Sequence, residues 1–390
     1  MKILFLNHNV AWSGGTFYRA YHFASQLGQI GHDVALMTIS PQKRFGITEY
    51  KKNDVHFIET PDWLWGRGRT GWDPWDTLRR CSYLRKKTWD LVHAFDSRPA
   101  VILPALFLRH KGIPLIMDWA DWWGRGGTIE ERNTGFLIRY LIGPVEAYFE
   151  EAFRIYAHGT TVISSALQKR AADLNVKPDS IAQIPQGSDT ENVYPLEKVK
   201  CRVDLGLPNK AKIIGYLGVL SKSDGQLLFD TFSCLLKEID DCNLLLIGKH
   251  KTNILDKTGI IETGFVSHDK LVKYLGACDL MMLPLKDTIA SRGRWPSKIN
   301  DYLAAGKPII ATAVGDMKEL FLKHEIGIAT TDDPVLLAQA TERLLMDEGL
   351  MSQMGKNSRR VAETELSWQM LADRLETHYM KILKSIQYRT

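Results

Sequence analysis

Short apolar runs of strand length recur along the chain, each followed by a longer stretch of helical periodicity. That alternation restricts the fold more than any other feature. In the first half the runs are KILFLNH, HDVALMT, VHFIET, DLVHAF, IPLIMDW and GTTVIS, with amphipathic stretches such as 17–28 and 137–157 between them. After the loop IPQGSDTENVYP a second series begins, KIIGYLG, CNLLLIG, IIETGF, LMMLPL and KPIIATA. Alternation of this kind argues for parallel sheets covered by helices on both faces. Two series in 390 residues predict two α/β domains of similar size, because chains beyond about 250–300 residues divide into separate cores. The join falls near residues 187–197, where Gly187, Asp189, Asn192 and Pro195 supply turn chemistry. The final stretch, 367–386, is helical with no strand after it, and is expected to pack back onto the first domain.

Composition narrows the setting. Hydrophobic residues at 45% and charged residues at 24% describe a folded chain rather than a disordered one. The opening MKILFLNHNV lacks the apolar length and cleavage site of a signal peptide and reads as a first buried strand. No run reaches the roughly 18 uninterrupted apolar residues of a membrane span. Five cysteines in no CxxC spacing, with Cys242 and Cys278 inside apolar runs, point to free thiols in a reducing, cytoplasmic setting without structural zinc. A net charge of +5 suits an anionic ligand or surface and is too weak to argue for nucleic acid.

Doubly wound sheets bind ligands at the loops beyond the carboxyl ends of their strands. Two such domains face to face would hold a ligand in the cleft between them. The first of these loops, NHNVAWSGGTFYRA, carries His8, Trp12, Gly14 and Gly15. The glycines let the backbone approach a ligand, and the following helix offers free amides; the alternative is a turn that needs glycine for its conformation alone. The loop is not GxGxxG, which disfavours a dinucleotide dehydrogenase. The strongest local signal is RGRWPSKINDYLAAGKPIIATAVG. Pro296 and Ser297 suit a helix start, and Gly306 suits its end. Arg292, Arg294 and Lys298 gather positive charge where the helix dipole is already positive, so an anion such as a diphosphate is expected to fill the site. One turn on, Asp301 is placed to accept hydrogen bonds from a ribose.

At these residues the chain resembles the family 4 retaining glycosyltransferases. The resemblance runs through PSKINDYLAAGKPIIAT, ACDLMMLPL, ETGFVSHDKLVKYLGACD, the NHN…SGG loop with its GHDV strand, and VISSALQKRAADLNVKPDSIAQIPQGSDTENVYP, from Met1 to about Glu365. It implies an α/β fold of the GT-B type: two facing Rossmann-like domains with a cleft between them. Residues 1–190 would bind the acceptor, 191–365 the nucleotide-sugar donor, and 366–390 would form the returning helix. The donor would be a UDP- or GDP-sugar and the acceptor a glycan, a lipid-linked molecule or a small molecule, with no metal. Of the family's paired donor-site glutamates, the ribose-binding one matches Asp301 and the other falls at Gly293, where Ser291, Asp287 or a backbone amide would have to substitute. The family's diphosphate-gripping Arg and Lys fall at Val219 and near Asp224, with Lys222 as a stand-in beside Gly218. Glu319 matches a glutamate that follows the donor loop.

The resemblance also implies a donor-sugar His in the loop after IPLIMDW, where this chain has Asp118, Trp119, Ala120 and Asp121. Asp121 becomes a candidate catalytic group with Arg292 and Lys298, while the alternative makes Asp118 and Asp121 helix caps and the tryptophans core. His93, Asp96, Trp12 and Trp119 are acceptor-side candidates; Lys249 and His250 are candidates only by following a strand. Retention would proceed by front-face departure of the diphosphate, which takes the acceptor's proton, so no glycosidase-like carboxylate pair is required. A sugar-nucleotide 2-epimerase and a non-catalytic sugar-binding subunit are the competing readings. The segment PDWLWGRGRTGWDPWDTLRRCSYLRKK sets Trp63, Trp65, Trp72 and Trp75 among cations. That pattern fits peripheral contact with the inner face of a membrane or a lipid-linked acceptor, or else a loop packed on its own domain.

Overall fold

The computed structural model describes residues 1–42, 45–63, 70–131, 138–250 and 258–388, with backbone only at 138–139. It divides into two compact units. Unit 1 comprises Met1–Pro185, Gly293–Trp295 and Trp368–Thr390, and unit 2 comprises Gln186–Arg292 and Pro296–Ser367.

Among the described residues unit 1 is built on eight strands: β1 (Lys2–Val10), β2 (Asp33–Ile39), β3 (Thr48–Lys52), β4 (Val55–Thr60), β5 (Leu91–Phe95), β6 (Leu115–Trp119), β7 (Gly159–Val162) and β8 (Ile181–Gln183). They lie in the order β3-β4-β2-β1-β5-β6-β7-β8, all parallel except β3, which pairs antiparallel with β4. Successive residues of β1 point to opposite faces, as the pleat requires. Ile3 and Phe5 enter a core with Phe17, Phe23 and the returning helix Trp368–Gln387, while Leu4 and Leu6 enter a second core with Val101, Ile102 and Leu108. The returning helix is fastened by Trp368, which stacks on His22 with ring centroids 4.6 Å apart, and by Glu376, 2.8 Å from His32.

Unit 2 holds six parallel strands: β9 (Lys212–Leu217), β10 (Cys242–Ile247), β11 (Ile260–Glu262), β12 (Leu280–Leu283), β13 (Ile309–Thr312) and β14 (Gly327–Thr330). Their order is β11-β10-β9-β12-β13-β14. Each sheet reverses its winding once, between β1 and β5 in unit 1 and between β9 and β12 in unit 2. Those reversals are where an open α/β sheet leaves a crevice for a ligand.

Three strands escape the sequence pattern. The polar β3 (TEYKK) is an exposed edge, and β8 and β14 are too short to show a period. The glycine expected to end the helix after Pro296 does so, since Gly306 adopts φ 64° after Lys298–Ala304. Ser297 stands at that helix's cap position but its side chain makes no capping bond, because its own backbone is already helical at φ −52°, ψ −31°. Among the described residues no helix is long and apolar enough to cross a membrane.

Candidate functional site

The unit 2 reversal carries the arrangement with the clearest ligand chemistry. Gly218, directly after β9, holds φ 95°, which only glycine adopts without strain, and donates its N–H to Ile247 O at 2.8 Å. Gly248, after β10, has φ 121°. A side chain added at Gly218 would meet nothing nearer than the end of Lys298, with Nζ 4.0 Å away, so the turn is open on the lysine side. The amine of Lys298 donates to Tyr216 Oη and lies 3.9 Å from that ring's centroid. The His250 ring is 6.2 Å from Tyr216, and burial lowers its pKa, with Lys298 adding to the effect against the pull of Glu262. The helix bearing Lys298 is pinned here by Tyr302, whose buried hydroxyl accepts from Leu217 N–H at 2.9 Å.

Asp301 sits on the next turn, half-buried. Burial first, and the neighbouring Asp189 carboxylate second, push its pKa up to about 7. A carboxylate in that state gains from hydroxyl donors, which favour its charged form.

Two expectations change here. Arg292 is not an unpaired cation: it is exposed and holds Asp287 in a fork, with Nε and Nη2 at 2.6 and 2.8 Å from the two oxygens. The same fork occupies Asp287, which therefore does not stand in freely for the carboxylate missing at Gly293. The positive helix start is also shorter of donors than expected, because Ile299 and Asn300 already give their N–H groups to Pro296 O and Ser297 O. Arg294 belongs with unit 1, in the segment Gly293–Trp295. Ser291 is buried. Lys222 and Glu319 are exposed on the first turns of Lys222–Leu235 and Met317–His324, and Val219 is exposed beside Gly218. Lys249 follows β10.

In unit 1 the reversal is built from a closed polar net. Asn7 Nδ2 donates to Thr16 Oγ1 (3.0 Å), which donates to Asn9 Oδ1 (2.8 Å), and Asn9 N–H returns to Asn7 Oδ1 (2.7 Å). Gly15, at φ 63°, is required there because a β-carbon would stand 2.7 Å from Asn9 Nδ2. His8 Nε2 and Asp96 Oδ2 are 2.8 Å apart without aligned hydrogen-bond geometry. Burial drives the His8 pKa down to about 3 despite that carboxylate. Asp96 and Trp12 hold φ 90° and 63°, left-handed conformations costly for such residues and typical of functional loops.

Several acceptor-side candidates are turned inward instead. His93 is buried in β5, its ring nitrogens engaged by Tyr379 Oη (2.5 Å) and Thr161 Oγ1 (3.2 Å). Trp12 packs against Phe17, Tyr21 and Phe57 under Lys52, so its ring is engaged within unit 1. Trp119 is 2% exposed, donates to Glu150 Oε1 at 2.8 Å, and carries the Arg154 guanidinium 3.6 Å above its ring. Asp118 is locked in a buried fork with Arg19 at 2.9 and 3.0 Å. Asp121 lines a small crevice with Thr16, Asp96, Ser97 and Trp123.

The buried charges Arg19, Glu150 and Arg154 were not singled out from the sequence; nothing in its period distinguishes them from a solvated helix face. Of the tryptophans after β4, Trp72 packs edge-on against Phe149 and Trp75 against Trp63, Trp63 is exposed, and Trp65 lies outside the described residues. Among the described residues no group of three or more His, Cys, Asp or Glu is placed to hold a metal ion.

Two family models match the chain, "Glycosyltransferase Family 4" over residues 13–192 and "Glycosyl transferases group 1" over 211–347. YtcC of Bacillus subtilis (strain 168) is 26% identical over 267 residues, 60% of this chain and 65% of that protein, so the match spans less than two thirds of this curated relative. Sucrose-phosphate synthase from Thermosynechococcus elongatus superposes with TM-score 0.74 at 17% identity, over 98% of this chain and 99% of the other. HepE from Anabaena, solved with UDP-glucose, superposes with TM-score 0.68 at 16% identity over the whole of both chains. The fold is GT-B.

Proposed function

The chain belongs to glycosyltransferase family 4, and from that premise we propose that it transfers a hexose from a nucleotide-sugar, with a UDP-sugar the first candidate, to a glycan, lipid-linked or small-molecule acceptor. The UDP-glucose complex of HepE supports that choice of base. Unit 2 binds the donor and unit 1 the acceptor. The observation that carries this reading is the lysine amine of Lys298 over the open Gly218 turn, with Asp301 one turn further along the same helix.

In this mechanism the bond between the anomeric carbon and the diphosphate oxygen breaks. The acceptor hydroxyl forms its new bond on the same face and passes its proton to the departing diphosphate. Lys298 is the group that offsets the growing negative charge, which is where fixed charge accelerates such a reaction. The carboxylate of Asp301 accepts hydrogen bonds from the ribose and holds the nucleotide in register. Gly218 leaves space for the phosphates.

A lipid-linked acceptor has its own support. Trp63 (62% exposed) and the aromatic residues Tyr140, Tyr148 and Tyr156 on residues 138–156 give unit 1 exposed groups of the kind that settle at a bilayer interface.

The test is a panel of UDP-, GDP-, ADP- and TDP-sugars, read by thermal shift for binding and by nucleotide release for turnover. A stabilising nucleotide-sugar whose effect disappears in Asp301→Ala and Lys298→Ala, with diphosphate released on adding acceptor, is the expected result. Binding without turnover on any acceptor would favour a non-catalytic sugar-binding subunit, and consumption without acceptor an epimerase. Stabilisation by none of them would remove the donor site from unit 2.

A further inference from the structure

Unit 2 has a cavity at the end of its sheet opposite to Gly218 and Lys298. Its volume is about 580 Å³, within the range of small-molecule sites. Asp279 and Pro308, which line it, immediately precede β12 and β13. It therefore sits at the amino ends of the parallel strands, whereas Gly218 and Gly248 follow the carboxyl ends. One wall is a face of the helix Glu348–Thr364, repeating at helical spacing through Ser352, Lys356, Arg360 and Glu363. Gly355 brings that helix close, since a β-carbon there would stand 2.6 Å from Gly306 O.

The charges around this cavity do not balance. Lys198 is paired with Asp279 at 2.7 Å, and Arg359 with Glu363 at 2.7 Å. That leaves three cations against Glu348. Lys307, 8% exposed, donates to Gly276 O (2.7 Å) and Cys278 O (2.8 Å). Two of its three hydrogens are thus spent on carbonyls, and it makes no ion pair among the described residues, the nearby Asp279 carboxylate being held by Lys198 and Arg202. Lys356 and Arg360 are exposed, one turn apart on the wall helix, with no ion-pair partner among the described residues. Like charges at that spacing repel, and a buried ammonium whose nearest carboxylate is shared with two other cations is costly. An anion bridging them removes both penalties.

We propose that this cavity is a second ligand site of the protein, taking a phosphorylated small molecule whose phosphate is held by Lys307, Lys356 and Arg360. Phosphate suits the set because a guanidinium grips it in a fork and two ammonium groups neutralise the rest of its charge. The neighbouring Arg359 donates to Thr190 O (3.1 Å), Val193 O (2.9 Å) and Ala304 O (2.7 Å). The wall helix is thereby tied to the loop carrying Asp189 and to the end of the helix carrying Asp301.

The experiment is a thermal titration of the full chain with inorganic phosphate and with a hexose 6-phosphate, against potassium chloride at matched ionic strength. Wild type is expected to be stabilised saturably, more tightly by the hexose phosphate and not by chloride. The double variant Lys356→Ala/Arg360→Ala, changed at two exposed positions, is expected to bind about tenfold or more weakly. Lys298→Ala is expected to respond as wild type does. Lys307→Met serves as a third probe if it folds. Retained stabilisation in the double variant, its loss in Lys298→Ala, or no stabilisation of wild type would each overturn the proposal.

Discussion

The two sheet reversals treat polar groups in contrasting ways. At the end of β1 and β5, nearly every charge has a partner inside its own unit: Asp118 with Arg19, Arg80 with Asp76, and the Asn7–Asn9–Thr16 net closed on itself. At the end of β9, Lys298 donates to the Tyr216 hydroxyl beside that ring, and Asp301 faces another carboxylate. The first arrangement fixes loop shape without help from a ligand. The second carries a cation and a destabilised carboxylate whose unfavourable terms a bound nucleotide would relieve. One site is preorganised by internal pairing, while the other sets the Asp301 carboxylate beside that of Asp189.

The largest test of that contrast removes one partner from the closed site. Arg19→Ala strands Asp118 in the core and is expected to cost about 3–5 kcal/mol, read by denaturant titration, with little direct effect on nucleotide binding. A loss below about 1 kcal/mol would mean that the buried fork matters little to unit 1. The converse substitution, Lys298→Ala, should leave folding intact and lower turnover by about a hundredfold or more, since it withdraws charge opposite the leaving group. Comparable stability loss and unchanged turnover would reverse the assignment of the two sites.

Gly15→Ala should destabilise by about 1–3 kcal/mol, through its positive φ and the clash with Asn9, measurable as a shift in melting temperature. Gly14→Ala, at φ 103° but with no atom within 4 Å of a β-carbon, isolates the conformational part alone.

Asp301 gives a pH-dependent version of the contrast. Its folded-state pKa is raised to about 7, so the folded protein holds a proton that the unfolded chain has released above about pH 4. Stability should therefore fall as pH rises from about 4 to about 7 and level off above. Asp301→Asn removes that slope. At pH 8 it should be more stable than wild type by about 1–2 kcal/mol, a figure discounted for partial exposure, while binding the donor more weakly. A variant that keeps the wild-type slope would place the titrating group elsewhere. The smallest effect is expected from Arg292→Ala: the exposed, solvent-screened pair with Asp287 contributes little to stability, and turnover should change only a few-fold. A large loss of turnover would show that the fork with Asp287 opens for the donor.

What the sequence revealed divides along the same line. The β9–β13 runs and the turn at Gly306 were legible because burial and glycine conformation act locally. Lys298 stood out because positive charge at a helix start carries a local penalty, and Asp301 because it lies one turn on at the position matching the family's ribose-binding carboxylate. Hidden were the inward turn of His93 and Trp119, the fork that occupies Arg292, and the core charges of Arg19 and Arg154. His93 and Arg19 depend on partners distant in the chain, Tyr379 and Asp118, which no local period reports, and the Arg292 fork, though its partner Asp287 is five residues away, depends on a turn that periodicity does not show. The polar edge β3 was missed for a related reason, since its pairing with β4 rather than its own composition makes it a strand.

The helix Trp368–Gln387 belongs to unit 1 although everything between residues 186 and 367 other than 293–295 belongs to unit 2. During synthesis this imposes an order. Unit 2 has all its strands before the ribosome reaches Trp368, while the face of unit 1 bearing Phe17, Phe23 and Phe95 stays uncovered until the last helix is made. Domains generally fold as they emerge, N-terminal first; here the first-made domain is the last to be completed. A chain stopped at Ser367 is expected to retain protease-resistant unit 2 and to bind a hydrophobic dye through unit 1, a difference that limited proteolysis of the truncated and full chains would reveal.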